Sequence, residues 1–282
     1  MKKAAGVITN ASIEDFAMWL YGEERCSGTI EKYIRDVRTL QARLGDCKLT
    51  GESVAEWKTS LVEADYKPAT INSMLASINT YCRFMGIDCR IRFLRIQKRA
   101  FREENKELTR TEYERLIAAA LSKGNERLAL LLETIGSTGI RVSEVQYITV
   151  DAAKEGRTRI SLKGKIREIL LPKKLRQKLL KYAQKRKIAS GEIFITKSGK
   201  GLSRKQIWSD MKKLCRDAKV SESKVFPHNL RHLFARVFYR ITKDIAKLSD
   251  LLGHSSIDTT RIYLLSSGEE HARQLEKLGL VT

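Results

Sequence analysis

Residues 227–232 read Pro-His-Asn-Leu-Arg-His, and this short stretch places two basic side chains on one side of a helix. Proline is favoured at the first position of a helix, so Pro227 predicts a helix start with His228 in its first turn. Arg231 follows three residues later and projects from the same face. One site can therefore use both side chains.

Two further stretches carry polar side chains at helix ends. Gly253 and His254 follow an apolar helix, and Ser256 can cap the short helix that carries Tyr263. Arg141 lies near another helix start, where unpaired amides and the helix dipole favour an anion. Each of these positions suits a phosphate group.

A β-hairpin with a basic tip is predicted between these stretches. Residues 157–162 and 166–171 are rich in Ile and Leu and read as two strands. The turn between them is Lys163-Gly164-Lys165, which offers two lysines for chemistry or for DNA binding.

The composition points to a polyanionic partner. The 282 residues include 54 Lys and Arg against 33 Asp and Glu, a net charge of +21. With 42% hydrophobic residues the chain can bury a core, which excludes a mainly disordered basic protein. Nucleic acid is the leading partner, with an anionic membrane surface second. The sequence contains neither a membrane-spanning apolar stretch nor a signal peptide, so we expect a cytoplasmic, DNA-associated protein.

The candidate residues include no metal site. The five cysteines form no C-x-x-C pair, and all four histidines lie in the last quarter of the chain. We therefore expect no metal and no cofactor. Two arginines can hold the nonbridging oxygens of a phosphate as charge builds on them, and a tyrosine can attack it to form a covalent ester.

The fold class predicted from these patterns is mainly α with a small antiparallel β-sheet (α+β). Residues 1–88 predict a helical domain that clamps DNA, and residues 107–282 a catalytic domain. Residues 89–106 form a basic linker, which is either a solvated connector or a segment lying along a phosphate backbone. Its basic residues include Arg90, Arg92, Arg95, Lys98 and Arg99.

The motifs resemble those of the tyrosine recombinases of the phage integrase family. Three stretches carry the resemblance, with the basic hairpin tip as a fourth: Thr138-Gly139-Ile140-Arg141-Val142-Ser143-Glu144, His228-Asn229-Leu230-Arg231-His232, and Leu251-Leu252-Gly253-His254-Ser255-Ser256 with Thr259-Thr260-Arg261-Ile262-Tyr263. The resemblance covers most of the chain, and the first hundred residues match the core-binding domain of the family in pattern only. No additional N-terminal domain is visible, so we expect the compact two-domain type.

The resemblance implies a mechanism. Tyr263 would attack the scissile phosphodiester to give a 3′-phosphotyrosyl link, while Arg141 and Arg231 hold the phosphate. His228 would manage the tyrosine proton, and His254 would bond the phosphate. These residues would act with Lys163 as the general acid for the departing 5′ oxygen and with Glu144 in support of the arginines.

Two further side chains near the motifs, Lys165 and His232, also need an assigned role. The hairpin loop is shorter than the K-G-x-x-K form frequent in the family, so Lys165 is an alternative acid to Lys163. His232 follows Arg231 in sequence but should point to another helix face and serve a structural role.

The family also implies an assembly. Its members work as homotetramers on two DNA duplexes with specific recombination sites, pass through a Holliday junction, and can use an accessory DNA-bending factor. The segment Glu269 to Leu280 resembles the C-terminal helix that such proteins dock onto a neighbouring protomer, although it can also fold back in cis.

Integration or excision of a mobile element is the expected role, and resolution of replicon dimers uses the same chemistry. Two other activities remain as alternatives, a type IB topoisomerase and a catalytically silent DNA-binding regulator.

Overall fold

The computed structural model describes residues 6–96, 106–162, 165–254, 256–264 and 276–277 of the chain. The chain forms two compact units, Met1–Lys98 and Arg99–Thr282. The predicted fold class is confirmed: the structure is mostly helical, with one small antiparallel sheet. None of the helices in the described ranges is long and apolar enough to cross a membrane.

The described part of the first unit, residues 6–96, contains four helices. These are α1 (Asn10–Gly22), α2 (Ser27–Leu44), α3 (Gly51–Glu63) and α4 (Pro68–Met85). Local signals set their ends: Thr9 and Thr50 form reciprocal caps with the serines three residues later, and Pro68 begins α4. The helices enclose a core in which Phe16, Leu40, Leu75 and Tyr81 are among the fully buried side chains.

The segment after α4 is fastened to the first unit. The side chain of Asn79 makes two 3.0 Å hydrogen bonds with the backbone of Ile91, and Asn72 bonds the backbone of Leu94 in the same way. An amide side chain offers both a donor and an acceptor, so each asparagine pairs with the segment as a neighbouring strand would. The exposed arginines at positions 90, 92 and 95 thus project from a backbone anchored on α4. Lys98 and Arg99 lie outside the described residues.

The second unit holds the remaining elements. They are α5 (Arg110–Ser122), α6 (Glu126–Thr138), a 3-10 helix (Val142–Tyr147), α7 (Val150–Glu155), β1 (Arg157–Leu162), β2 (Lys165–Leu170), α8 (Lys173–Lys185), α9 (Arg204–Lys212), α10 (Cys215–Ala218), a 3-10 helix (Glu222–Lys224), α11 (Pro227–Thr242), α12 (Ile245–Leu252), α13 (Ile257–Arg261) and a 3-10 helix (Ile262–Leu264). Strands β1 and β2 are antiparallel, with Arg157 opposite Leu170 and Leu162 opposite Lys165.

The apolar core of this unit positions the candidate site. Helix α6 lies against α5, α8 and α11, and its buried leucines and isoleucine form the centre of the core. A smaller cluster joins Ala235 of α11 to Leu248 and Leu252 of α12 and to Tyr263. The ends of α6 and α12 therefore meet the start of α11, where the motif residues lie.

Candidate active site

Arg231 is almost fully buried, with 1% of its surface exposed. Its Nη1 donates to the carbonyl of Gly139 at 2.6 Å, and its Nη2 donates to the carbonyl of Leu252 at 2.7 Å and to Nε2 of His254 at 2.9 Å. Gly139 and Leu252 lie at the C-terminal ends of α6 and α12, where carbonyls lack helical partners and carry partial negative charge. Two helix ends thus orient one guanidinium.

The charge of Arg231 is not neutralised by these contacts. The three hydrogen bonds described above go to carbonyls and to a histidine, and its buried Nε has no partner among the described residues. Burial, together with the charge of Arg141, lowers the pKa of Arg231 to about 10, so the side chain stays charged at neutral pH. A buried cation held in this way favours an anion as its remaining partner.

Arg141 precedes the 3-10 helix Val142–Tyr147 and is held by Glu144. The Glu144 carboxylate accepts the backbone N–H of Arg141 at 2.8 Å and its Nη1 at 2.9 Å. The Arg141 Nη2 reaches the carbonyl of Gly253 at 3.4 Å. Glu144 is 2% exposed, whereas the Arg141 side chain is 42% exposed and can meet a ligand.

Arg167 of β2 is a site residue that sequence reasoning missed. Its Nη1 donates to both oxygens of Glu144, at 3.2 and 3.0 Å, and only 9% of its side chain is exposed. A signal was present in the strand pattern. Arg167 pairs with Ile160 and alternates with Ile169, which are both buried, so the two-residue period places this arginine on the buried face of the hairpin.

His254 bridges Arg231 and the helix that leads to Tyr263. Its Nε2 must accept from Arg231, because a guanidinium has no acceptor. Its Nδ1 therefore carries the proton and donates to the hydroxyl of Thr260, which is fully buried, at 2.8 Å. Burial and the nearby arginines lower the pKa of His254 to about 4, which keeps the ring neutral.

Tyr263 is buried among three histidine rings, with 6% of its surface exposed. Its ring centroid lies 5.5 Å from that of His254 in a stacked arrangement, 4.4 Å from His232 edge-on, and 5.8 Å from His228. The phenol also interacts with Arg231, and this interaction opposes the lowering of the Arg231 pKa by burial.

His232 packs against His228, whereas the sequence predicted only that it points to another helix face than Arg231 and has a structural role. The two rings are 4.6 Å apart, because residues four apart on a helix share a face. Burial is the main cause that lowers the pKa of both rings, to about 3 for His232, so both are neutral near pH 7. His232 belongs to the surroundings of Tyr263.

The structure brings most of the predicted site residues together. Arg141, Glu144, His228, Arg231, His254 and Tyr263 converge at the ends of α6, α11 and α12. Lys163 and the side chain of Lys165 lie outside the described residues, as does the segment Glu269 to Leu280 apart from residues 276 and 277. In the part of the chain that is described, no three His, Cys, Asp or Glu side chains are grouped as metal ligands.

The charges of the site favour a phosphodiester. The site holds three guanidiniums, of Arg141, Arg167 and Arg231, and one described carboxylate, that of Glu144, which bonds Arg141 and Arg167, while the histidines are neutral. Among these described groups the balance is two positive charges. A phosphodiester carries one negative charge, and the pentacoordinate species formed on attack carries two, so this arrangement can stabilise the reaction more than the ground state.

Comparisons with known proteins identify the family and the fold. A family model described as the phage integrase family matches residues 106–270. A protein named tyrosine recombinase XerA, from Thermococcus kodakarensis, is 30% identical over 95% of this chain and 98% of its own length. Two solved structures share the fold. A lambda integrase tetramer bound to a Holliday junction has a TM-score of 0.73 at 17% identity, over 93% of this chain and 78% of that one. The Tn1549 transposon integrase in complex with transposon right end DNA has a TM-score of 0.67 at 18% identity, over 95% of this chain and 99% of that one.

Proposed function

Because the chain belongs to the phage integrase family and is a tyrosine recombinase that cleaves and rejoins DNA at specific sites, we propose that Tyr263 is its nucleophile. The observation that carries this proposal is the pocket of two excess positive charges beside the buried phenol. Attack by the Tyr263 oxygen forms a tyrosyl–phosphorus bond as the bond from phosphorus to the 5′ oxygen breaks. The ester that results keeps the energy of the broken bond, so rejoining needs no nucleoside triphosphate.

Arg141 and Arg231 hold the nonbridging oxygens during this step. A phosphate oxygen can take the place of His254 as the acceptor of Arg231 Nη2, and it can also receive the unpartnered Nε–H. His254 can bond the same phosphate only from an Nε2 that carries a proton, since this nitrogen is an acceptor in the described arrangement.

In this proposal one side chain accepts the proton of the Tyr263 phenol, and another donates a proton to the departing 5′ oxygen. His228 is neutral and 5.8 Å from the Tyr263 ring, measured between centroids, so it can accept the phenol proton. Lys163 donates a proton to the departing 5′ oxygen, with Lys165 as the alternative donor. Arg90, Arg92 and Arg95 are exposed and add affinity for the phosphate backbone, as do Lys98 and Arg99 in this proposal.

Strand exchange in a homotetramer on two duplexes, through a Holliday junction, completes the proposed reaction. Integration or excision of a mobile element is the role we favour, because two structures with this fold are integrases, one of them from a transposon. Resolution of replicon dimers is the second candidate, because the full-length relative is named a recombinase rather than an integrase.

A covalent capture experiment tests the nucleophile without a known target. The full chain is incubated with nicked duplexes of random sequence, the DNA that stays attached in SDS is isolated and sequenced, and the enriched duplex is then resynthesised. We expect wild type to form the SDS-stable adduct and Tyr263→Phe to bind the same duplex without forming it. Tyr239→Phe is the matched control, because it removes a phenol that packs against the same small cluster, and it should retain the adduct. The proposal is wrong if wild type forms no adduct or if Tyr263→Phe still does.

A further inference from the structure

Arg167 occupies an unusual position for an arginine. It lies on the buried face of the hairpin, opposite Ile160, outside the motif stretches that carry the other site residues. The neighbouring arginines of the hairpin behave as surface residues: the side chains of Arg157 and Arg159 are 58% and 78% exposed, beside Glu168. Arg167 therefore differs from its neighbours in burial, although all three carry the same charge.

The contacts of Arg167 converge on those of Arg141. Glu144 is the shared partner, because its two oxygens accept Arg167 Nη1 while it also holds the backbone and Nη1 of Arg141. A carboxylate bonded from two sides by guanidiniums is fixed in orientation. The position of the Arg141 guanidinium thus depends on where Arg167 holds Glu144.

A second contact leads from Arg167 to Arg141 through Gly253. A Cβ built on Gly253 would lie 2.5 Å from Cδ of Arg167, so the Arg167 side chain runs directly against this backbone. The Gly253 carbonyl is the group that accepts Arg141 Nη2. Arg167 therefore supports both groups that orient Arg141.

Burial of the Arg167 guanidinium costs free energy, and stabilisation of the fold does not account for an arginine at this position. Burial lowers the pKa of Arg167 more strongly than any other influence on it, and its buried Nε has no acceptor among the described residues. An apolar side chain between Ile160 and Ile169 would fill a buried strand position without burying a charge. The arginine is consistent with a role in the reaction rather than in the core.

We propose that Arg167 is a positioning residue for the reaction: by holding Glu144 and the Gly253 backbone, it sets the orientation in which Arg141 meets the nonbridging oxygen of the scissile phosphate. This inference rests on the proposed function. Arg167 itself need not touch the DNA, because its Nη1 is occupied by Glu144 and its side chain is nearly covered.

The test compares two substrates that differ in one oxygen. The captured duplex is made with the natural scissile phosphodiester and with an uncharged methylphosphonate in its place, and the rate of adduct formation is measured on each. Arg167→Gln should slow cleavage of the phosphodiester by about 100-fold, because a misplacement of about 1 Å in a catalytic group has that effect. On the methylphosphonate the variant should react nearly as fast as wild type, because this substrate carries one negative charge fewer and Arg231 alone can stabilise the single charge that develops on attack.

The matched control is Arg159→Gln, which removes the same charge from the same hairpin at an exposed position. It should leave both rates unchanged. Thermal unfolding of each variant shows whether the fold is kept, and Arg167→Lys, which keeps the charge without the planar fork, provides a second variant. We expect Arg167→Lys to show the same substrate-dependent loss to a smaller extent.

The outcomes separate the two proposals. If wild type forms an adduct and Arg167→Gln is equally slow on both substrates, or equally fast as wild type on both, the positioning role is refuted while the proposed function stands. If wild type forms no adduct with any duplex of the random library, the proposed function itself fails.

Discussion

A methyl group added at Gly253 should reduce the rate of catalysis by more than its effect on stability would explain. The φ angle of Gly253 is +61°, in the left-handed region, and a Cβ there would lie 2.5 Å from Arg167 Cδ. Gly191 provides the comparison, because its φ is +76° but an added Cβ would meet no atom within 4 Å. Alanine at either position has the same backbone strain, and only Gly253→Ala also pushes on Arg167.

The expected magnitudes follow from these two terms. The left-handed conformation costs an alanine about 1–2 kcal/mol, and this applies to both variants. A carbon–carbon contact about 1 Å shorter than the normal 3.5–4.0 Å forces the neighbour to move, and such overpacking costs about 1–3 kcal/mol more. Gly253→Ala should therefore unfold roughly 2–10 °C below Gly191→Ala.

The catalytic consequence should be larger than the difference in stability. Displacement of Arg167 disturbs Glu144 and Arg141. The rate of adduct formation by Gly253→Ala, measured well below its melting temperature, should therefore fall by about 100-fold. Gly191→Ala should form the adduct at the wild-type rate. Thermal unfolding of the full chain and a time course of adduct formation measure the two effects. Equal behaviour of the two variants in both assays would refute the close contact at Gly253 and its link to Arg141.

Two other predictions concern protons. Burial lowers the pKa of His232 to about 3 and that of His254 to about 4, and the nearby charged or titratable groups Arg141, Arg231, Arg236 and His228 add to this effect. The unfolded chain therefore binds protons near pH 6.5 that the folded chain does not bind. Stability should fall as pH drops from about 6.5 towards these values. In urea titrations His232→Phe should lose less stability than wild type between pH 7 and 5, and an equal loss contradicts the assignment. The general acid is identified with a substrate whose 5′-bridging oxygen is replaced by sulfur, since that leaving group needs no proton. We expect this substrate to restore cleavage by Lys163→Ala but not by Lys165→Ala. The reverse pattern would assign the acid to Lys165.

Local sequence signals predicted the elements of the site, and long-range packing decided what they contact. Pro227 begins α11, Gly253 ends α12 and Ser256 caps α13, all of which depend on neighbouring residues in the chain. The partners of Arg231 are 92 and 21 residues away, and no local pattern names them. Strand alternation places Arg167 on the buried face of the hairpin, but its contacts with Glu144 and Gly253 come from packing that the sequence does not contain.

The choice of partners for the arginines explains how the site can favour a transition state. The carbonyls of Gly139 and Leu252 orient Arg231 without cancelling its charge, because they contribute dipoles rather than a full negative charge. A carboxylate in their place would neutralise the guanidinium before any phosphate arrived. The carboxylate of Glu144 is shared between two arginines, so orientation is again obtained while, among the described groups of the site, positive charge is left over. Since the charge on a phosphodiester doubles as the nucleophile attacks, this surplus acts most strongly on the species that limits the rate.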